Sequence, residues 1–244
     1  MCLSALVAIY SGLSGLGGLM KFVHKLGAIV WKDFVSEFRT KEMILSMCLF
    51  SFLVLIIFNF AFGSALDNNR GLMAGVLWVA FVFSGLTGLG RSFSMERDRG
   101  TLQGLILCPV SPWTIFLAKL IGVFLFTTVM EIITIFIFSV LYNTSVFPFL
   151  IPLGLIVFLG TLGFTAIGTI FSAISATAKA RDVLLSILFF PISVPVIIAS
   201  VKATGIILNG KSFQMVFPWL KILVAFDLIF LLVSYLTFAY ILEE

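Results

Sequence analysis

Apolar runs, each about long enough to cross a bilayer, recur along the chain: Ile44–Phe62, Leu72–Leu89, Trp113–Leu141, Phe149–Ser172, Val183–Val201 and Trp219–Leu242. About 20 apolar residues in helical form cross the roughly 30 Å of hydrocarbon. Unpaired backbone groups cost several kcal/mol in lipid, so each run predicts a helix. The third run is long enough to tilt or to include an interfacial turn. None shows the polar face of a helix that covers a soluble core. The pattern predicts an all-α polytopic membrane protein with six transmembrane helices.

Ahead of the first run the pattern changes. Over Phe22–Lys41 the apolar residues Leu26, Ile29, Val30, Phe34 and Phe38 recur every three to four positions, interleaved with Lys25, Lys32, Asp33, Glu37 and Arg39. This predicts an amphipathic helix lying along the membrane surface, as against an ordinary helical linker. Residues 1–19 are apolar and rich in Gly and Ser, without the basic start of a secretory signal. They read either as a short extra anchor or as an extension ahead of a natural start at Met20, and the second is the expectation. The predicted organisation is an N-terminal extension over 1–19, an interfacial helix over 20–43, and a six-span domain over 44–244. Within that domain a cytoplasmic segment covers 91–112.

Composition agrees. Of 244 residues 61% are apolar and 11% charged, with 28 Phe; soluble domains carry about 25% charged residues. A soluble enzyme is thereby excluded. The placement of charge is more informative than its sum. Lys21, Lys25, Lys32, Arg39, Lys41, Arg91, Arg97, Arg99, Lys119, Lys179 and Arg181 fall on one side of the spans, and only Arg70, Lys202, Lys211 and Lys221 on the other. By the positive-inside rule the first side is cytoplasmic, and both termini lie there.

Chemistry-bearing residues are few. The cysteines Cys2, Cys48 and Cys108 form no C-x-x-C motif. The single histidine, His24, reads as an interfacial side chain; having only one excludes bis-His haem ligation and a His-rich metal site within the chain, and leaves no nucleophilic triad to assemble inside the membrane. Gly205–Ser212 fits G-x-x-x-x-G-K-S, but a P-loop needs a core strand before it and an α/β domain around it, and here a membrane span precedes it. Two acids, Glu131 and Asp227, lie within spans at similar depth, where ionisable groups mark functional sites by default. They line one cavity or serve as structural hydrogen-bonding carboxyls. Small residues repeat every fourth position (Gly168, Ser172, Ala176 beside Thr165, Thr169, Ala173; Gly71 with Gly75) and allow close helix approach. Pro191 and Pro195 predict a break in the fifth span.

The most informative segment follows the second span. Arg91, Glu96, Arg97, Asp98 and Arg99 crowd the cytoplasmic face, followed by Gly100, Thr101 as a cap, an apolar stretch Leu102–Leu107, and Pro109. A charged elbow beside a short apolar helix suits docking in a groove on a soluble partner; the alternative is a solvated loop that only enforces topology.

The sequence resembles the CcmB family, the six-span permease subunits of the cytochrome c maturation ABC transporter. The resemblance covers about Leu26 to the C-terminal end. It is carried by Gly75-Val-Leu-Trp-Val-Ala80, Met95-Glu-Arg-Asp-Arg-Gly-Thr-Leu102, Leu107-Cys-Pro109, Leu117-Ala-Lys119, Lys179-Ala-Arg-Asp182, Leu184-Leu-Ser-Ile-Leu188, Pro191 and Pro195. Gln103, Cys108 and Gly90 depart from the family pattern. The resemblance implies a multi-pass inner-membrane permease that binds no cofactor of its own, with haem as the handled ligand. It further implies a cytoplasmic ABC ATPase subunit that carries the ATP, a haem-handling membrane protein, a second permease copy, and no nucleic acid. Glu96, Arg97, Asp98, Arg99, Gly100 and Thr101 would couple to the ATPase. Its cycle would drive haem export or release of a haem-loaded chaperone. Three rival readings share the pattern: an ABC-2-type exporter of a lipid, drug or polysaccharide; a non-transporting scaffold for ATPase and haem-handling partners; and an intramembrane enzyme built on Glu131 and Asp227.

Overall fold

The computed structural model describes residues 18–63, 69–98, 111–176 and 181–243. These form seven long helices: α1 (Gly18–Thr40), α2 (Glu42–Phe62), α3 (Arg70–Asp98), α4 (Pro112–Leu141), α5 (Leu150–Ala176), α6 (Arg181–Leu208) and α7 (Phe217–Glu243). Single 3₁₀ turns, Phe147–Phe149 and Phe213–Val216, lead into α5 and α7. Among the described residues there is no strand, and six helices are long and apolar enough to cross a membrane.

The bundle is built around α3 and α5, with 67% and 56% of their spanning residues buried, against 28% for both α2 and α7. The outer helices turn side chains such as Phe60, Phe136 and Leu228 to the lipid. Lipid removes the hydrophobic drive between helices, so close packing of small residues has to hold them. The glycines do this locally. A Cβ on Gly85 would overlap the Phe164 ring, one on Gly88 the Met47 thioether, and one on Gly168 the Leu89 side chain. One turn from Gly168, the Ser172 hydroxyl donates to Leu89 O at 2.6 Å. The small-residue stripe of α5 is therefore the seam against α3.

α1 is wedged against the bundle. Leu26, Ile29 and Val30 pack with Ile115, Phe116 and Phe238, and Phe34 stacks on Phe126 at 4.7 Å between ring centroids. Trp31, Val35 and Phe38 form a second apolar stripe facing away from the bundle. Phe38, expected on the same face as Ile29, belongs to that outer stripe.

One expectation needs correction. Pro191 and Pro195 do not break the fifth span: α6 is continuous through both. A helical proline loses one hydrogen bond and crowds the carbonyl four residues earlier. Both prolines lie on the exposed face of α6. The second span lies at Arg70–Arg91, close to the expected Leu72–Leu89, but its helix does not stop there. α3 runs on to Asp98, so the first half of the expected elbow is helix. Residues 1–17 and the stretch 99–110, with the expected short helix Leu102–Leu107, lie outside the described residues.

Candidate functional site

The end of the bundle that carries most of the cations is held by ion pairs and one shared cap. α1 stops at Thr40, and Lys41 turns the chain with φ 56°. Its backbone N–H still donates to Glu37 O at 2.6 Å. Lys41 offers no side-chain cap to α2. The Glu37 carboxylate does so instead: Oε1 accepts from the N–H of Met43 at 2.9 Å and of Ile44 at 3.0 Å. One buried residue thus closes α1 and opens α2, using the donors that every helix start leaves unpaired.

Asp33, one turn earlier, reaches into the bundle. Its Oδ2 lies 2.7 Å from Nζ of Lys119 on α4, while Oδ1 lies 3.3 Å from Lys32. Lys119 is buried, with 2% of its side chain exposed. Without an anion beside it, an ammonium at that depth would cost several kcal/mol. On the surface, Arg91 near the end of α3 pairs with Glu42 at 3.5 Å. α1, α2, α3 and α4 are thereby joined at one end of the molecule.

The expected coupling residues grow from this platform. Glu96, Arg97 and Asp98 lie on the last turns of α3. Their side chains, and all of Arg99, Gly100 and Thr101, lie outside the described residues.

The intramembrane acids are both buried, but the bundle does not bring them together. Glu131 on α4 takes a bifurcated hydrogen bond from the Thr161 hydroxyl of α5, at 2.7 Å to Oε1 and 2.8 Å to Oε2. Asp227 on α7 faces Gly163 of α5, where an added Cβ would fall on its Oδ1, with Phe226 and Val196 beside it. Thr161 and Gly163 are two positions apart, which at 3.6 residues per turn is about 200° around the helix. The acids therefore sit at one depth on opposite sides of α5, and the single shared cavity is not what forms. Both Asp227 oxygens lack a hydrogen-bond partner among the described residues. One turn away along α5, Gly160 leaves room for the Trp78 ring and the Ser200 hydroxyl, and the Trp78 indole donates to Thr204 Oγ1 at 2.9 Å.

Sequence reasoning missed Thr161, Gly160 and Gly163, the Asp33–Lys119 pair and the capping role of Glu37. The capping signal was faint, because Glu37 precedes its helix by five residues and a helix break intervenes. Among the described residues no group of three His, Cys, Asp or Glu side chains could hold a metal ion.

Six spanning helices, an amphipathic helix wedged at the basic end and buried acids against a central helix define a polytopic α-helical membrane protein. The chain belongs to the CcmB family: the family profile described as "CcmB protein" matches residues 24–243. Among curated proteins it is similar to "Heme exporter protein B" of Pseudomonas aeruginosa, 25% identical over 193 residues, covering 78% of this chain and 85% of the relative. The Bradyrhizobium diazoefficiens protein of that name is 25% identical over 185 residues, covering 76% and 83%. That of Rhodobacter capsulatus is 24% identical over 149 residues, covering 61% and 68%.

Proposed function

We propose that the chain is the transmembrane permease subunit of an ABC transporter that handles haem for cytochrome c maturation in the inner membrane. The observation that carries this reading is the family match across all six spans, residues 24–243. The names of the relatives supply haem as the cargo.

In this reading the basic end faces the cytoplasm. A separate ATPase subunit hydrolyses ATP and docks on the segment that α3 leads into, Glu96 to Thr101. A haem-handling membrane protein and a second permease copy complete the assembly. The ion-paired platform supports the docking role. Motion imposed at the end of α3 passes through Arg91 and Glu42 to α2, and through the Glu37 cap to α1.

The test is transport by the purified complex in sealed vesicles, with haem on one side and ATP supplied to the ATPase. ATP-dependent haem movement is expected. Normal production of c-type cytochromes without such movement would replace transport by the scaffold reading, in which the ATPase only drives release of a haem-loaded partner.

A further inference from the structure

At the end of the bundle opposite the ion-paired platform, α3 and α6 line an open cavity of about 420 Å³. That is within the range of small-ligand sites, about 300–1,000 Å³. Asn69, Gly71 and Leu72 line it from the start of α3, Val201, Lys202, Gly205, Ile206 and Asn209 from the last turns of α6, and Lys211 from the turn beyond.

The cavity explains the segment Gly205–Ser212, whose P-loop spacing has no P-loop context. Gly205 stands beside Gly71 across the α3–α6 contact, where an added Cβ would lie 3.6 Å from Gly71 Cα, an ordinary contact. Gly210, at φ +67°, takes the left-handed conformation that ends helices. Its N–H donates to Ile207 O at 2.8 Å and that of Lys211 to Ile206 O at 3.2 Å. This turn carries Lys211 back to the cavity wall on which Lys202 stands.

The other polar groups are already engaged. Asn69 Oδ1 caps α3 by accepting from Gly71 N at 3.1 Å and Leu72 N at 3.3 Å. Asn209 Nδ2 donates to Gly205 O at 2.6 Å, and Arg70 Nη1 donates to Leu208 O at 2.5 Å. Lys202 and Lys211 are exposed, and among the described residues neither has an acidic partner; the ion pairs found there lie at the opposite end. Beside the two ammonium groups the wall is apolar, from Leu72, Val201 and Ile206. A free inorganic anion would waste that wall, and a neutral lipid would leave both charges unanswered.

We propose that this cavity binds an anionic amphiphile, a carboxylate or phosphate carried on an apolar body, with Lys202 and Lys211 as its charge partners. Two sources share that chemistry: an anionic phospholipid of the adjoining leaflet, and haem through its two propionates. The second source rests on the haem reading proposed above; the first does not.

The experiment uses the full chain purified into lipid nanodiscs, so Asp67, two residues before Asn69, contributes whatever counter-charge it has. In one arm native mass spectrometry compares retained phosphatidylglycerol with phosphatidylcholine. In the other, absorbance titration compares haem with its dimethyl ester. Lys202→Gln with Lys211→Gln is expected to cut preference for the anionic form about thirtyfold, from two lysines at the usual contribution of each at an anionic surface. Leu72→Trp, which fills the cavity and keeps both charges, should do the same and guards against a misfolded double variant. Lys221→Gln, at the same end but outside the lining, should change nothing. Loss in the lipid arm alone assigns the site to lipid, and loss in the haem arm alone to the cargo. Preference that is unchanged by the cavity variants in both arms, or equally reduced by Lys221→Gln, overturns the proposal. A lipid preference that survives while haem fails to bind refutes only the link to haem.

Discussion

The Lys119 ammonium and the Asp33 carboxylate, 2.7 Å apart, join an amphipathic N-terminal helix to the interior of a membrane-spanning one. The pair is asymmetric: Lys119 is almost wholly enclosed, whereas Asp33 keeps 16% of its side chain exposed. Removing the anion therefore takes the carboxylate at 2.7 Å away from a buried ammonium. Asp33→Ala is expected to destabilise the protein by about 3–5 kcal/mol, the usual cost of breaking a buried pair from one side. The double variant Asp33→Ala with Lys119→Met should recover most of that loss. Thermal unfolding in detergent measures both, and equal destabilisation by the single and double variants would show that the pair is not what holds α1.

Glu37 makes a separate prediction because its role is local. Glu37→Ala removes the acceptor for two N–H groups at the start of α2, and loss of a helix cap costs about 1 kcal/mol. Glu37→Gln keeps an acceptor oxygen and should lie between. Protease cleavage near Lys41 reads the effect directly. Faster cleavage in the order Ala, Gln, wild type is expected, and identical rates would remove the cap from the account.

The α5 seam predicts intolerance at two glycines that look interchangeable with their neighbours in the sequence. Gly163→Ala places a methyl group on Asp227 Oδ1, and Gly160→Ala places one on the Trp78 ring and Ser200 Oγ. Overpacking of this kind costs about 1–3 kcal/mol. Gly154 on the same helix has nothing within 4 Å of an added Cβ, so Gly154→Ala is expected to be neutral. Midpoints of thermal unfolding for the three variants separate seam from spacer.

That contrast shows how far the sequence could be read. The spans were legible because lipid imposes one rule on every stretch of backbone, and apolar length reports it. The small-residue stripe through Gly168 and Ser172 was legible for a related reason, since only small side chains admit a second helix. The partner of a given residue was not. Glu131 and Asp227 share a depth that counting along the spans found, but only the rotation of α5 separates Thr161 from Gly163. Nor did counting reveal that Pro191 and Pro195 face outward, where a continuous helix tolerates them. Lys119 read as one more cytoplasmic cation; its burial depends on where α1 lands, and the periodicity of α1 cannot say that.

The Thr161 hydroxyl gives the test that distinguishes a structural acid from an active one. It is the hydrogen-bond donor to Glu131 across the α4–α5 contact. Thr161→Val keeps the shape and removes the donor, which costs about 1–3 kcal/mol when a buried acceptor is left unmet. Glu131→Gln keeps an acceptor for the hydroxyl and should lose less stability. If Glu131 is only a tie between helices, Gln at this position preserves c-type cytochrome production. A folded Glu131→Gln complex without that production would assign the carboxyl a part in handling the cargo.

The docking role proposed for the segment from Glu96 to Thr101 is tested by charge, starting from Glu96 and Asp98 at the end of α3. Glu96→Lys with Asp98→Lys should reduce recovery of the ATPase subunit with the purified permease. Exposed ion pairs contribute up to about 1 kcal/mol each, so a loss of several-fold is expected from two reversals. The loss should ease as salt is raised for both proteins, since screening at such surfaces extends over about 8–10 Å. Arg97→Glu with Arg99→Glu probes the opposite sign at the same place. If neither pair changes ATPase recovery or c-type cytochrome production, the proposed docking role of this segment is refuted.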